Sequence, residues 1–113
     1  MSSDSITGEL KDNVFVVKCS GYLNMESGDS IAKLCYEQID NGITKFLINL
    51  ENTKMVNSIG VSILIEIIEK LQDIDGQLGF CNLAAIVEKT FKIMGLTQYS
   101  TLFGTESEGV DSL

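Results

Sequence analysis

The sequence contains no histidine, tryptophan or proline. It has no arginine either, because all eight basic residues are lysines. Without histidine, Ser–His–Asp and Cys–His catalysis, the usual zinc sites and the commonest proton shuttle are excluded. Without arginine there is no arginine finger and no bidentate clamp for carboxylate or phosphate. Positive charge is scarce as well. Eight lysines face 16 acidic residues, for a net charge of −8 and a pI of about 4.3. That balance argues against nucleic acid, whose affinity rests on cationic contacts to phosphates. It also argues against an anionic membrane surface and favours a protein partner with a basic surface. Cys19, Cys35 and Cys81 are odd in number and widely spaced, which is neither a disulfide framework nor a CxxC metal or redox motif. Buried free thiols in a reducing, cytoplasmic compartment are expected. No apolar run approaches 18 residues, and the first five residues carry no signal-peptide pattern.

What is present is one domain of 113 residues, 44% apolar and 21% charged. A chain of this length buries roughly two-thirds of its unfolded surface. Residues 6–10 and 14–20 read as two short strands, with the polar Lys11-Asp12-Asn13 as a hairpin turn between them. Gly21 ends the second strand and residues 22–25 form a loop. A helix over about 27–41 follows, with Ile31, Leu34, Cys35 and Ile39 on one face and Asn41-Gly42 as the stop. Residues 43–50 are nearly continuously apolar, as in a strand buried on both faces of a parallel sheet. Residues 51–56 read as a loop. The stretch 58–75 is a helix with rows Ile59, Ile63, Ile67, Leu71 and Leu64, Ile68. A short strand at 78–81 is expected next. Asn82 then caps a helix over 83–94, with Leu83, Ile86, Val87, Phe91 and Met94 on its inner stripe and Gly95 at its end. A last edge strand falls near 99–102. Thr105-x-x-Glu108 has the form of a capping box, weakened by Gly109. Residues 1–4 and about 104–113 are expected to be loosely held. Strands alternating with helices imply an α/β fold with parallel strands and right-handed crossovers, plus one antiparallel edge.

Little of this composition carries chemistry. There is no GxGxxG after a strand and no Walker A motif. Glu66 and Glu69 read as a solvated helix face beside Lys70. Cys81, at a strand end near a helix start, is the one candidate thiol nucleophile, and buried free thiol is the better reading. The junction Met55-Val56-Asn57-Ser58-Ile59-Gly60-Val61 is different in kind. It opens the most apolar helix directly after the buried strand. First-turn N–H groups there are unpaired and the helix dipole favours anions. Asn57 or Ser58 serves as the N-cap, and Gly60 lets a partner approach the first turn closely. Ser58 is either a capping hydroxyl only, or an exposed hydroxyl open to phosphorylation. A phosphoserine carries about −1.5 to −2 charges and would be tolerated at that position.

The stretch from Asn49 to Val61, with Ser20-Gly21-Tyr22-Leu23-Asn24 before it and Phe91-Lys92-Ile93-Met94-Gly95-Leu96 after it, resembles the STAS domains, in particular the bacterial anti-sigma factor antagonists. The resemblance covers nearly the whole chain. It implies a small mixed four- to five-stranded sheet with helices packed mainly on one face. It implies no enzymatic activity and no cofactor. The partners it implies are an anti-sigma factor with serine kinase activity and a serine phosphatase that reverses the modification. Phosphorylation falls on the position matching Ser58 and breaks the complex. The chain departs from the family pattern at Asn57 and Asn24, where an acidic residue is usual, and at Ile59, where Ser or Thr is usual. The expected partner surface comprises Asn57, Ser58, Ile59, Gly60, Ser62, Asn24 and Met25. STAS-like domains also serve as accessory parts of transporters or as scaffold subunits, so a role without a phosphate cycle is the alternative expectation.

Overall fold

The computed structural model describes residues 5–113; the expectation for residues 1–4 lies outside them. Asp12 and Asn13 both adopt left-handed backbone angles (φ 49° and 71°) and close a two-residue hairpin. The hairpin joins β1 (Ser5–Lys11) to β2 (Val14–Leu23). The chain continues through α1 (Met25–Asp40), β3 (Lys45–Val56), α2 (Ser58–Gln72), β4 (Gln77–Cys81) and α3 (Ala85–Ile93). A short 3₁₀ turn (Leu96–Gln98), β5 (Thr101–Phe103) and α4 (Glu106–Ser112) complete it. The five strands lie in chain order. Only β1 is antiparallel to its neighbour; the other pairs are parallel.

This order decides where the helices go. Each crossover steps the same way across the sheet, so crossovers of one hand lay their helices on one face. Strand alternation matches that arrangement. Phe15, Val17, Cys19, Phe46, Ile48, Leu50, Leu78 and Phe80 point into one core with the inner faces of α1, α2 and α3. Val14, Val16, Leu47 and Cys81 point the other way. Phe80 and Phe91 meet edge-to-face with centroids 5.0 Å apart, which seats α3. Gly28 sits where a Cβ would lie 2.9 Å from the Ile63 side chain, so α1 and α2 pack with little between them.

Several elements differ from the sequence expectation. Residues 51–56 are not a loop but the second half of β3, and β2 runs past Gly21 to Leu23. Two register shifts make this possible, between Lys18 and Ser20 and between Ser20 and Tyr22. Gly21 takes φ 96° there, and the buried Thr53 hydroxyl donates to the Cys19 carbonyl at 3.0 Å. Asn82 does not cap α3. The N-cap is Ala84, without a side-chain bond, while Asn82 sits at φ 58° with its amide 3.3 Å from Asn49 Oδ1. Ile86, assigned to the inner stripe, is exposed; Val87 and Phe91 fill that role. The final segment also departs from the expectation of a loosely held end. α4 packs on the far face of the sheet, where Gly109 lets its backbone rest on Leu47. Glu106 fastens it: its carboxylate bonds to Lys11 and accepts from Asn49 Nδ2 at 3.0 Å.

The Lys11 hydrogen bond, more than any other interaction, holds the Glu106 carboxyl below its ordinary value of 4.5. A carboxyl depressed in the folded state stabilises the fold above its unfolded pKa and loses that contribution as pH falls through the folded value. Glu106→Gln is therefore expected to lower Tm by a few degrees at pH 7, with the gap to the parent closing below about pH 4 in a thermal-melt series.

Candidate functional site

The paired ends of β2 and β3 carry the site. Leu23 lies opposite Val56, so the two helix starts that follow, at Asn24 and Asn57, are neighbours. The Asn57 N–H donates to the Leu23 carbonyl at 2.9 Å and ties the junctions together. Asn57 is the N-cap of α2: its Oδ1 accepts from the Gly60 N–H at 2.8 Å. Asn24 caps α1 through a reciprocal box. Its Oδ1 accepts from the Ser27 N–H at 3.1 Å, and Ser27 Oγ accepts from the Asn24 N–H at 2.9 Å. The Ser27 hydroxyl in turn donates to the Tyr22 carbonyl at 2.7 Å. Both asparagines thus spend their side-chain oxygens on helix starts.

Between the two candidates for the α2 cap, the structure selects Asn57 and releases Ser58. Ser58 is the first residue of α2 and is exposed. Its carbonyl accepts from the Ser62 hydroxyl at 2.8 Å one turn on, and Ser62 is exposed on the same side. Among the described residues no side-chain capping bond is made by the Ser58 hydroxyl. The first turn of α2 carries no acidic residue, so its positive end is not neutralised from within the helix.

Gly60 has a different role from the one expected. It is buried, and the group that approaches it is the chain's own backbone. A Cβ there would lie 2.6 Å from the Leu23 carbonyl oxygen and 3.0 Å from the Asn24 nitrogen. Of the expected partner residues, Asn57, Ser58, Ile59, Ser62, Asn24 and Met25 are brought together on one rim; Gly60 holds that rim from beneath. Met25 and Ile59 are 57% and 53% exposed, unusual for such side chains. Met55, 59% exposed and opposite Tyr22 in the sheet, belongs to the same rim. Sequence reasoning missed it by reading residues 51–56 as a loop; what keeps it in the sheet is the bulged pairing of β3 with β2, which has no local sequence signal. Cys81 is buried, and burial pushes its thiol up to about 12, which removes it as a nucleophile. Among the described residues there is no cluster of metal-binding side chains and no helix long and apolar enough to cross a membrane.

A chain-ordered mixed sheet, three helices on one face and a serine-bearing helix start beside the sheet's exit define a STAS domain. The STAS domain family model matches residues 5–109, and the chain belongs to that family. BtrV of Bordetella bronchiseptica, whose name assigns it provisionally as an anti-sigma factor antagonist, is 21% identical over 90 residues, covering 80% of this chain and 78% of that protein. The fold is shared with an anti-sigma factor antagonist from Mycobacterium paratuberculosis: TM-score 0.84, 22% identity, 97% of this chain and 93% of that one. It is also shared with the Bacillus cell-fate determinant SpoIIAA in its phosphorylated form: TM-score 0.75, 22% identity, 95% of this chain and 97% of that one. The chain therefore has the fold of the anti-sigma factor antagonists.

Two substitutions separate the scaffold of the rim from its surface. Gly60→Ala forces backbone apart and is expected to cost about 1–3 kcal/mol in denaturant titration. Asn57→Ala removes the α2 cap for about 1 kcal/mol, whereas Asn57→Asp retains the capping oxygen and is expected to stay close to the parent.

Proposed function

We propose that this chain is an anti-sigma factor antagonist working as a phosphorylation-controlled binding switch, with Ser58 as the acceptor. The unphosphorylated rim binds an anti-sigma factor that is also a serine kinase. Phosphorylation of Ser58 releases that partner, and a serine phosphatase restores the binding state. The observation that carries this reading is the exposed Ser58 hydroxyl at the first position of α2, left out of the capping that Asn57 performs. A kinase can reach it without unfolding the helix. The product phosphate sits at an uncompensated positive helix end, which lowers its cost to the fold. Its cost to a complex is large, because a group of about −1.5 to −2 charges replaces a small hydroxyl inside a rim of Met25, Met55 and Ile59. Supporting it further, SpoIIAA, which shares the fold, exists in unphosphorylated and phosphorylated forms. The chain itself contributes no phosphate loop and no arginine, so ATP and Mg²⁺ belong to the kinase. This reading places the protein in the cytoplasm, without nucleic acid or membrane as a ligand.

A second reading, an accessory or scaffold subunit without a phosphate cycle, draws on one observation. Asn24 and Asn57 have complete structural roles as caps and need no charged partner.

Intact mass of the protein from its own host, with the site localised by peptide fragmentation, decides between them. A phosphatase-sensitive gain of one phosphoryl group on Ser58 is expected, with none after Ser58→Ala. Ser58→Asp is expected to keep Tm within a few degrees of the parent while weakening capture of the kinase partner by roughly 100-fold or more. If Ser58→Asp unfolds the domain, the hydroxyl is structural and the switch reading fails.

A further inference from the structure

Sulfur in the described residues divides by exposure. Cys19, Cys35 and Cys81 are all buried. Burial pushes the Cys35 and Cys81 thiols up to about 12, so neither offers a reactive thiolate. Met94 is half-buried against the core. The two methionines that remain, Met25 and Met55, are each more than half exposed. They are also on the same rim. Met25 opens α1 beside Asn24, and Met55 lies opposite Tyr22, two residues before Asn57. The bond from the Asn57 N–H to the Leu23 carbonyl holds those two segments side by side. The reactive sulfur among the described residues is thus concentrated around Ser58.

We propose that Met25 and Met55 form a reversible oxidation site for hydroperoxides, and that their sulfoxides block docking of the kinase partner at Ser58. This rests on the reading of Ser58 as a kinase acceptor. In the oxidation step a thioether lone pair attacks one peroxide oxygen. The sulfur–oxygen bond forms, the O–O bond breaks, and the leaving hydroxide takes the proton of the newly sulfur-bound hydroxyl, giving sulfoxide and water. Sulfur loses two electrons and hydrogen peroxide gains them. The product is a polar, chiral sulfoxide where a flexible apolar side chain stood, and it resists the desolvation that docking needs. A thiol-dependent methionine sulfoxide reductase reverses the step. Because both side chains stand clear of the core, the fold is retained and only the rim changes.

The test uses the purified full chain exposed to hydrogen peroxide and then desalted. Peptide mapping is expected to find Met25 and Met55 oxidised on the order of tenfold faster than Met94, with an unchanged far-UV spectrum. The treated and untreated chains are then incubated with clarified host lysate and labelled ATP, and incorporation at Ser58 is measured. Oxidation is expected to lower its rate on the order of tenfold, and reductase with thiol to restore it. Met25→Leu/Met55→Leu, whatever its own basal rate, is expected to show no change on peroxide treatment. Equal incorporation before and after oxidation overturns the proposal, as does loss that the reductase does not reverse. No incorporation into any sample, untreated chain included, fails the Ser58 reading itself and takes this inference with it.

Discussion

The first turn of α2 rests directly on the backbone where β2 becomes α1, and the rest of the site depends on that approach. Gly60 permits it, because any Cβ would run into the Leu23 carbonyl. The Asn57 N–H fixes it with a 2.9 Å bond to the same carbonyl. One oxygen atom is thus both the steric limit and the hydrogen-bond anchor. The bulged pairing of β2 with β3 delivers Leu23 and Val56 to the same level, and each strand then turns at once into a capped helix. Two helix starts that are 33 residues apart in sequence become one surface.

The division of labour at the α2 start separates the helix cap from the exposed hydroxyl beside it. Helix N-termini need acceptors for their unpaired N–H groups. Asn57 meets that need with its side chain, so Ser58 carries no capping duty. A charge added to Ser58 meets the helix dipole rather than a buried bond. The same logic applies at Asn24, where the reciprocal bonds with Ser27 keep the loop's shape independent of what binds over it.

Regular periodicity was the legible part of the sequence. The hairpin, the inner stripes of α1 and α2 and the buried strand at the sheet centre were all readable from period-two and period-3.6 patterns. So was the Ser58 junction, because strand, cap and apolar helix follow one another without interruption. What stayed hidden depended on tertiary pairing. Residues 51–56 look like a polar loop, yet the bulges at Ser20 and Tyr22 and the Thr53 hydroxyl let them remain in the sheet. Asn82 has the chemistry of a cap, but its left-handed backbone places the side chain toward Asn49 instead. Gly109 looked like a helix breaker; its lack of a side chain is what lets α4 lie against Leu47. No local pattern announces a contact with a residue more than 60 positions away.

The chain-ordered sheet has a consequence for how the molecule assembles. Every strand pairs with the strand just before it in sequence, so each new strand can add to an edge already formed, and no gap has to be held open for a later segment. The exception is the ion pair from Glu106 back to Lys11, which spans 95 positions. That pair depends on elements from both ends of the described chain being in place. The Ser58 surface is built from β2, α1, β3 and α2, so it lies wholly within the chain-ordered part of the molecule, whereas the C-terminal clasp joins elements from both ends.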